Sequence, residues 1–366
     1  METMTVHRGL KGIAVAETTL SFIDGTRGLL LYRGLPAEQL ALERGFEEVA
    51  HLLWYGRLPA PAEAEALRRR LVTGRGLPGP VQRVLDALPP DVDTMSVVRT
   101  AVSAMAGPGF AFPPTPEQAA ALTAVVPTII AYRHRRLSGQ DPVEPRADLG
   151  HVANYLYMLS GREAPAARVE ILEAYMVLTM EHGMNASTFA ARVTTSTRSD
   201  LVSALVAAVG TMKGPLHGGA PSEVDAMLDA IGEAGRAEDY LRDLLERGER
   251  IMGFGHRVYR TRDPRAAALA QLVRRVAAGE PWLELATHVE TTALRLLEDY
   301  KPGRRLSTNV EFWAAAVLRA VGIPPELYTP TFTAARVAGW CAHALEQAAD
   351  NQLIRPEAVY VGPRPA

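Results

Sequence analysis

Cysteine is almost missing from this chain. Among 366 residues only Cys341 occurs, which leaves no internal disulfide framework and no cysteine-rich metal site. An excess of one charge is missing too. Lys and Arg number 39 against 41 Asp and Glu, a formal net charge of −2, so neither nucleic acid nor an anionic membrane is expected as the main partner. The most apolar stretch, Ala119–Tyr132, is interrupted by Pro127 and falls short of the roughly 20 residues that a membrane helix needs. Met1–Gly12 holds no apolar run ahead of a small-residue cleavage site, so no signal peptide is expected and the chain reads as cytoplasmic. A G-x-x-x-x-G-K-[S/T] phosphate loop is absent. So is any His-x-x-x-His pair: His182, His217 and His256 stand 35 and 39 residues apart, which argues against a zinc site.

What the chain has is helical periodicity. With 48% hydrophobic and 22% charged residues, it can bury a large core or form two unequal domains. Apolar spacing predicts helices over Ala37–Tyr55, Val97–Ala106, Leu149–Leu159, Arg168–Met180, Leu201–Met212 and Ser222–Ala234. Ala237–Arg247, Arg265–Ala278, Trp282–Tyr300, Glu311–Val321 and Thr333–Gln347 follow. One more opens at Thr115-Pro-Glu-Gln118, a capping box with proline at the first helical position, and should kink at Pro127. Thr18–Ile23 and Leu29–Tyr32, flanking Asp24-Gly25, read as a β-hairpin. Strands do not alternate with helices, so the expected fold is all-α with a small N-terminal β-hairpin.

Three glycine-marked segments interrupt the helices. In Lys213-Gly-Pro-Leu-His-Gly-Gly-Ala-Pro221, His217 lies just before a helix N-terminus, whose partial positive charge favours a neutral imidazole. A neutral ring still donates an N–H to a carbonyl or a developing enolate, and the glycines admit a ligand close to the backbone. A structural histidine in a turn fits this segment equally well. In Gly253–Arg265, four arginines within nine residues accompany His256. Asp263 reads as an N-cap and Pro264 as the first helical residue, so Arg265 falls in the first turn. A cation there is unfavourable by about 0.3–1 kcal/mol unless an anion such as a di- or tricarboxylate or a phosphate binds. The other reading is a solvated basic loop. Ser307-Thr-Asn-Val-Glu-Phe-Trp313 sets Glu311 at the start of an apolar helix, by itself ordinary dipole chemistry. Glu181-His-Gly-Met-Asn-Ala-Ser187 ends a helical run in a polar turn.

In this order the segments resemble the citrate synthase family, over nearly the whole chain from about Gly9 to Gly362. Leu31-Tyr-Arg-Gly34, Glu181–Thr188, Gly214-Pro-Leu-His-Gly-Gly219, Gly255–Arg260, Asp263-Pro-Arg265, Asn309-Val-Glu311, Ala335–Trp340 and Leu353-Ile-Arg-Pro356 carry the resemblance. It implies a homodimer in which residues 1–217 and 323–366 form a large helical domain. Residues 218–322 would form a small inserted domain that closes over the site.

By the same resemblance, His217 matches the histidine that bonds the thioester carbonyl and its enol, and His256 the one that protonates the oxaloacetate carbonyl. Glu311 stands where the base that takes the acetyl methyl proton is usually an aspartate; Asn-Val-Glu-Phe-Trp is similar to a bacterial branch with glutamate there. His182, Arg265 and Arg336 match binders of oxaloacetate or citrate carboxylates, and Arg355 an arginine donated across the dimer interface. Arg260 matches a contact to the phosphates of coenzyme A, with Lys301, Arg304 and Arg305 as helpers. The implied reaction joins acetyl-CoA, oxaloacetate and water into citrate and CoA. It uses no metal and no cofactor, acetyl-CoA being a substrate. The alternatives are a 2-methylcitrate synthase using propionyl-CoA and a non-catalytic citrate- or CoA-binding sensor or assembly protein. A binding-only protein needs no paired histidine donors, which argues against the last.

Overall fold

The computed structural model describes residues 5–10, 12–218, 220–256 and 258–363. A three-stranded antiparallel sheet comes first, with β1 (Ser21–Asp24), β2 (Leu29–Tyr32) and β3 (Leu35–Pro36) in that order. Ser21 pairs with Tyr32 and Asp24 with Leu29. Everything after it is helical: α1 (Ala37–Glu43), α2 (Phe46–Tyr55), α3 (Pro61–Gly74), α4 (Gly79–Ala87), α5 (Thr94–Ser103), α6 (Pro116–Leu137), α7 (His151–Ser160) and α8 (Ala166–Met180). Then follow α9 (Ala186–Ser196), α10 (Leu201–Met212), α11 (Ala220–Ile231), α12 (Ala237–Glu246), α13 (Pro264–Val276), α14 (Pro281–Tyr300), α15 (Val310–Ala320) and α16 (Tyr328–Ala349). No described helix is long and apolar enough to cross a membrane.

The all-α expectation holds, with three local differences. The single helix expected over Ala37–Tyr55 is two, broken at Arg44-Gly45. The second is started by side chains: Glu48 accepts from Gly45 N at 3.0 Å, and Glu173 of α8 accepts from Phe46 N at 2.9 Å. Helices α3, α4 and α9 were not expected. Only Leu67 and Leu71 are buried in α3, too few to make a stripe, and α9 is rich in Ser and Thr, poor helix formers. Finally, β3 adds a short edge to the hairpin. Gly74-Arg-Gly-Leu-Pro-Gly79 has the G-x-G-x-x-G spacing of a dinucleotide loop. It joins α3 to α4 with no strand before it, so that reading lacks its structural setting.

The core centres on α8 and α16, which pack against each other and against α2, α6, α9 and α10. Their contact is backbone against backbone at one point. A Cβ on Gly339 of α16 would lie 2.1 Å from the Met180 carbonyl oxygen, so no larger residue fits there. That closeness lets the side chains one turn away cross between helices. Arg336 donates through Nε to the Thr179 carbonyl, and His343 Nε2 sits 3.0 Å from Glu181 Oε2. A second tie joins the two distant loops that follow Gly253 and precede α15. Phe254 and Thr308 form an antiparallel bridge, with Gly255 N to Ser307 O at 2.8 Å and Asn309 N to Gly253 O at 2.9 Å.

Candidate active site

Six side chains singled out from the sequence lie at the junction of these elements. His182 lies two residues past α8; His217 lies in the α10–α11 loop; His256 precedes α13; Arg265 opens α13; Glu311 opens α15; Arg336 is on α16. The His182 and His256 rings meet edge to face, 5.5 Å between centroids. Arg265 bears electrostatically on His182, His256 and Glu311, and Arg336 on His182, His217 and Glu311.

His256 is fixed by its own loop. The backbone N–H groups of Val258 and Tyr259 both donate to its Nδ1, at 3.0 and 3.2 Å. Nδ1 is therefore an acceptor, and the neutral ring carries its proton on Nε2. Burial first and Arg265 second push its pKa down to about 4, against an opposing pull from Asp263. At neutral pH, His256 is thus a neutral donor through Nε2.

His217 is fixed by Ser187. The serine Oγ lies 2.7 Å from His217 Nε2, 2.8 Å from Asn185 Oδ1 and 3.1 Å from Trp340 Nε1. Trp340 can only donate, and Asn185 Oδ1 accepts, since it also caps α9 by taking Thr188 N at 3.0 Å. With Nε2 occupied by Ser187, Nδ1 is the ring nitrogen left for a ligand. Burial, then Arg336, holds the His217 pKa down to about 4. The neutral ring expected from the neighbouring helix terminus is present, with burial and the arginine among its causes.

Arg265 corrects another expectation. The anion that a first-turn arginine needs is supplied from within: Asp263 caps α13 through Arg265 N at 3.0 Å, and its carboxylate takes Arg265 Nε at 3.1 Å and Nη2 at 2.9 Å. Asp263 Oδ2 also accepts from Val310 N at 3.1 Å, tying α13 to the start of α15. Arg265 and Asp263 are 4% and 1% exposed, so this pair is desolvated and its geometry rigid. No hydrogen bond to a described residue engages Arg265 Nη1 or the terminal nitrogens of Arg336.

Glu311 sits one residue after Val310, its N–H held by the N-cap Asn309 at 3.2 Å. Its Oε2 is buried and, among the described residues, has no partner. Burial raises its pKa, an effect opposed first by Arg265. An unpartnered buried carboxylate oxygen is costly and is positioned to take a proton.

Sequence reading missed several supporting groups. Tyr259 places its hydroxyl 3.2 Å from His182 Nε2. Buried Glu181 takes Ser21 Oγ and Gly183 N and pairs with His343. Burial pushes its pKa up, yet His343 and Arg336 outweigh this and hold it low. Tyr259, Glu181 and Ser187 all lie in quoted motifs, but only long-range packing reveals what they hold. The charged rim fares better: Arg260, Arg304 and Arg305 line one cleft with His256 and Tyr259, Lys301 ending the nearby α14. Arg355 is not gathered with the others. It is exposed on the C-terminal tail, next to Ile354, which bonds Ser196 at the far end of α9. Nine residues of helix, about 14 Å, separate Ser196 from Ser187. Among the described residues, no three His, Cys, Asp or Glu side chains converge as a metal site.

The chain is similar to known proteins over nearly its whole length. A family model described as citrate synthase, C-terminal domain, covers residues 9–357. The citrate synthase of Haloferax volcanii is 41% identical over 98% of this chain and 96% of its own. A 2-methylcitrate synthase of Mycobacterium tuberculosis is 38% identical over 99% of this chain and 92% of its own. The structure of citrate synthase from Thermoplasma acidophilum, in ternary complex with carboxymethyl coenzyme A and oxaloacetate, superposes with a TM-score of 0.91. It is 30% identical and covers 100% of this chain and 98% of its own. The chain belongs to the citrate synthase family and is an acyltransferase of that type.

Proposed function

We propose that the chain is a citrate synthase, condensing acetyl-CoA with oxaloacetate and water to give citrate and CoA without metal or other cofactor. One observation carries this reading: a buried Glu311 Oε2 shares a site with two neutral histidines, each with one ring nitrogen committed to the protein, and among the described residues neither that oxygen nor the second ring nitrogens have a partner.

Glu311 Oε2 takes a proton from the acetyl methyl while His217 Nδ1–H bonds the thioester oxygen, so the charge developing there is stabilised toward the enol. For Nδ1 to carry that proton, Ser187 turns its hydroxyl from Asn185 to His217 Nε2. Asn185 keeps its bond to Thr188 N. The enol carbon attacks the keto carbon of oxaloacetate, and His256 gives its Nε2 proton to the carbonyl oxygen, which becomes the tertiary hydroxyl. Water then cleaves the thioester, releasing CoA. His182, Arg265 and Arg336 hold the dianion, Arg265 through the Nη1 that Asp263 leaves free. Arg260 with Lys301, Arg304 and Arg305 meets the phosphates of CoA. The 218–322 segment closes over the site as a small domain. Arg355, remote from its own site, completes that of a partner subunit in a homodimer.

The second reading, 2-methylcitrate synthesis from propionyl-CoA, is favoured by the Mycobacterium relative of that name. Glutamate reaches about 1.5 Å further than aspartate, one C–C bond, into the space beside the acyl methyl, which favours the smaller acetyl group. We expect kcat/KM for acetyl-CoA to exceed that for propionyl-CoA by about 10-fold or more, since one methylene is worth about 1–3 kcal/mol. Free-thiol release with oxaloacetate and each thioester in turn measures it. A ratio below one assigns the second reading, and no release with either, from folded protein, overturns both.

A further inference from the structure

The β1–β2 hairpin lies more than 200 residues from His256 in sequence, yet its tip abuts the His256 loop. A Cβ on Gly25 would stand 2.1 Å from the carbonyl oxygen of Val258 and 2.8 Å from its carbon. In return, Arg260 N donates to the Gly25 carbonyl at 2.7 Å. The tip is shaped by Asp24, whose Oδ1 accepts from Thr26 N and Arg27 N, both at 2.9 Å. Gly28 repeats the approach, its Cβ position 2.7 Å from the Arg262 carbonyl oxygen.

What this contact touches decides its meaning. The Val258 carbonyl and the Tyr259 N–H belong to one peptide plane, and that plane is rigid. Gly25 meets the carbonyl end, while the N–H end donates to His256 Nδ1 at 3.2 Å. Displacing one end displaces the other.

We propose that the hairpin tip, and Gly25 above all, is a positioning element that holds His256 in its Nε2–H tautomer and in line with its substrate. Its effect on turnover rests on the condensation reading above; its effect on the imidazole does not. Gly25 is not in the left-handed region, so an alanine there suits its own backbone and acts only by pushing Val258.

The test is Gly25→Ala in the full chain, read by turnover and by 15N NMR of the histidine rings. His256 faces Arg265, Asp263 and the rings of His182 and Tyr259, none of which the substitution alters. Wild-type His256 is one tautomer, its Nδ1 held by the N–H groups of Val258 and Tyr259. In Gly25→Ala the two tautomers mix, and kcat falls about 10- to 100-fold. Gly34→Ala is the control: its φ is +84° with nothing within 4 Å, so it lowers Tm through backbone strain alone and leaves the His256 signals and kcat in place. Asp24→Ala, which loosens the tip without a clash, gives the Gly25→Ala signature at smaller amplitude and decides the matter if Gly25→Ala does not fold. Wild-type His256 signals and kcat in Gly25→Ala, or in a folded Asp24→Ala standing in for it, overturn the proposal. A wild type without turnover defeats the condensation reading, and the ring signals still decide this one.

Discussion

Glu311→Gln lowers turnover with acetyl-CoA and oxaloacetate by about 10²–10⁴-fold, the usual worth of a positioned base, while oxaloacetate still binds. Glutamine keeps the shape and volume of the side chain but cannot accept the methyl proton. The same change spares or raises stability. The sign follows from burial: the folded pKa of Glu311 is raised, so its stability contribution is full below the unfolded value of about 4.3 and is lost as pH rises through the folded one. At neutral pH the ionised, unpartnered carboxylate costs stability, and glutamine removes that cost. Wild-type kcat/KM should accordingly fall, as pH is lowered, at a pH above the ordinary carboxylate range. Steady-state rates across pH, with thermal melts of both proteins, check all of this. Near-normal turnover in Glu311→Gln would remove it from the role of base.

His217→Ala is expected to lower kcat by about 10²–10³-fold, the loss typical of one donor to a developing oxyanion. A thioester α-proton is so weakly acidic that a carboxylate alone does not remove it at a useful rate. The donor must be neutral, because an imidazolium would carry a second cation beside Arg336, whose field already lowers the His217 pKa. Oxaloacetate affinity should change little, since the dianion is held by Arg265, Arg336 and His182. A variant that loses oxaloacetate binding but keeps kcat at saturation would place His217 with the carboxylate binders instead. Rates at saturating thioester, paired with calorimetric oxaloacetate titration, separate the two.

Helix content and the His217 and His256 loops were legible because their signals are local: capping residues, apolar spacing, glycine beside histidine. Glu311 was not. A glutamate at a helix start is ordinary, and only its place in the ordered motifs marked it. What the sequence hid is non-local. The break at Gly45 depends on Glu173, 127 residues away from the amide it caps. His217 is oriented by Ser187, 30 residues off, which Trp340 engages from 153 residues further on. The reading of Arg265 as a first-turn cation in need of an anion missed the partner two residues before it. Asp263 was recognised as a cap, but a carboxylate has two oxygens and four acceptor sites, enough to cap, pair with Arg265 and hold Val310 at once. Arg355 is read from its motif alone, since its proposed role lies in a second subunit.

The most direct test of the central claim is product stoichiometry. Folded protein is incubated with acetyl-CoA and oxaloacetate, and mass spectrometry counts citrate against free CoA. Condensation through Glu311, His217 and His256 predicts one citrate for each CoA, with no CoA released when oxaloacetate is left out. CoA released without citrate would show simple thioester hydrolysis and contradict the account.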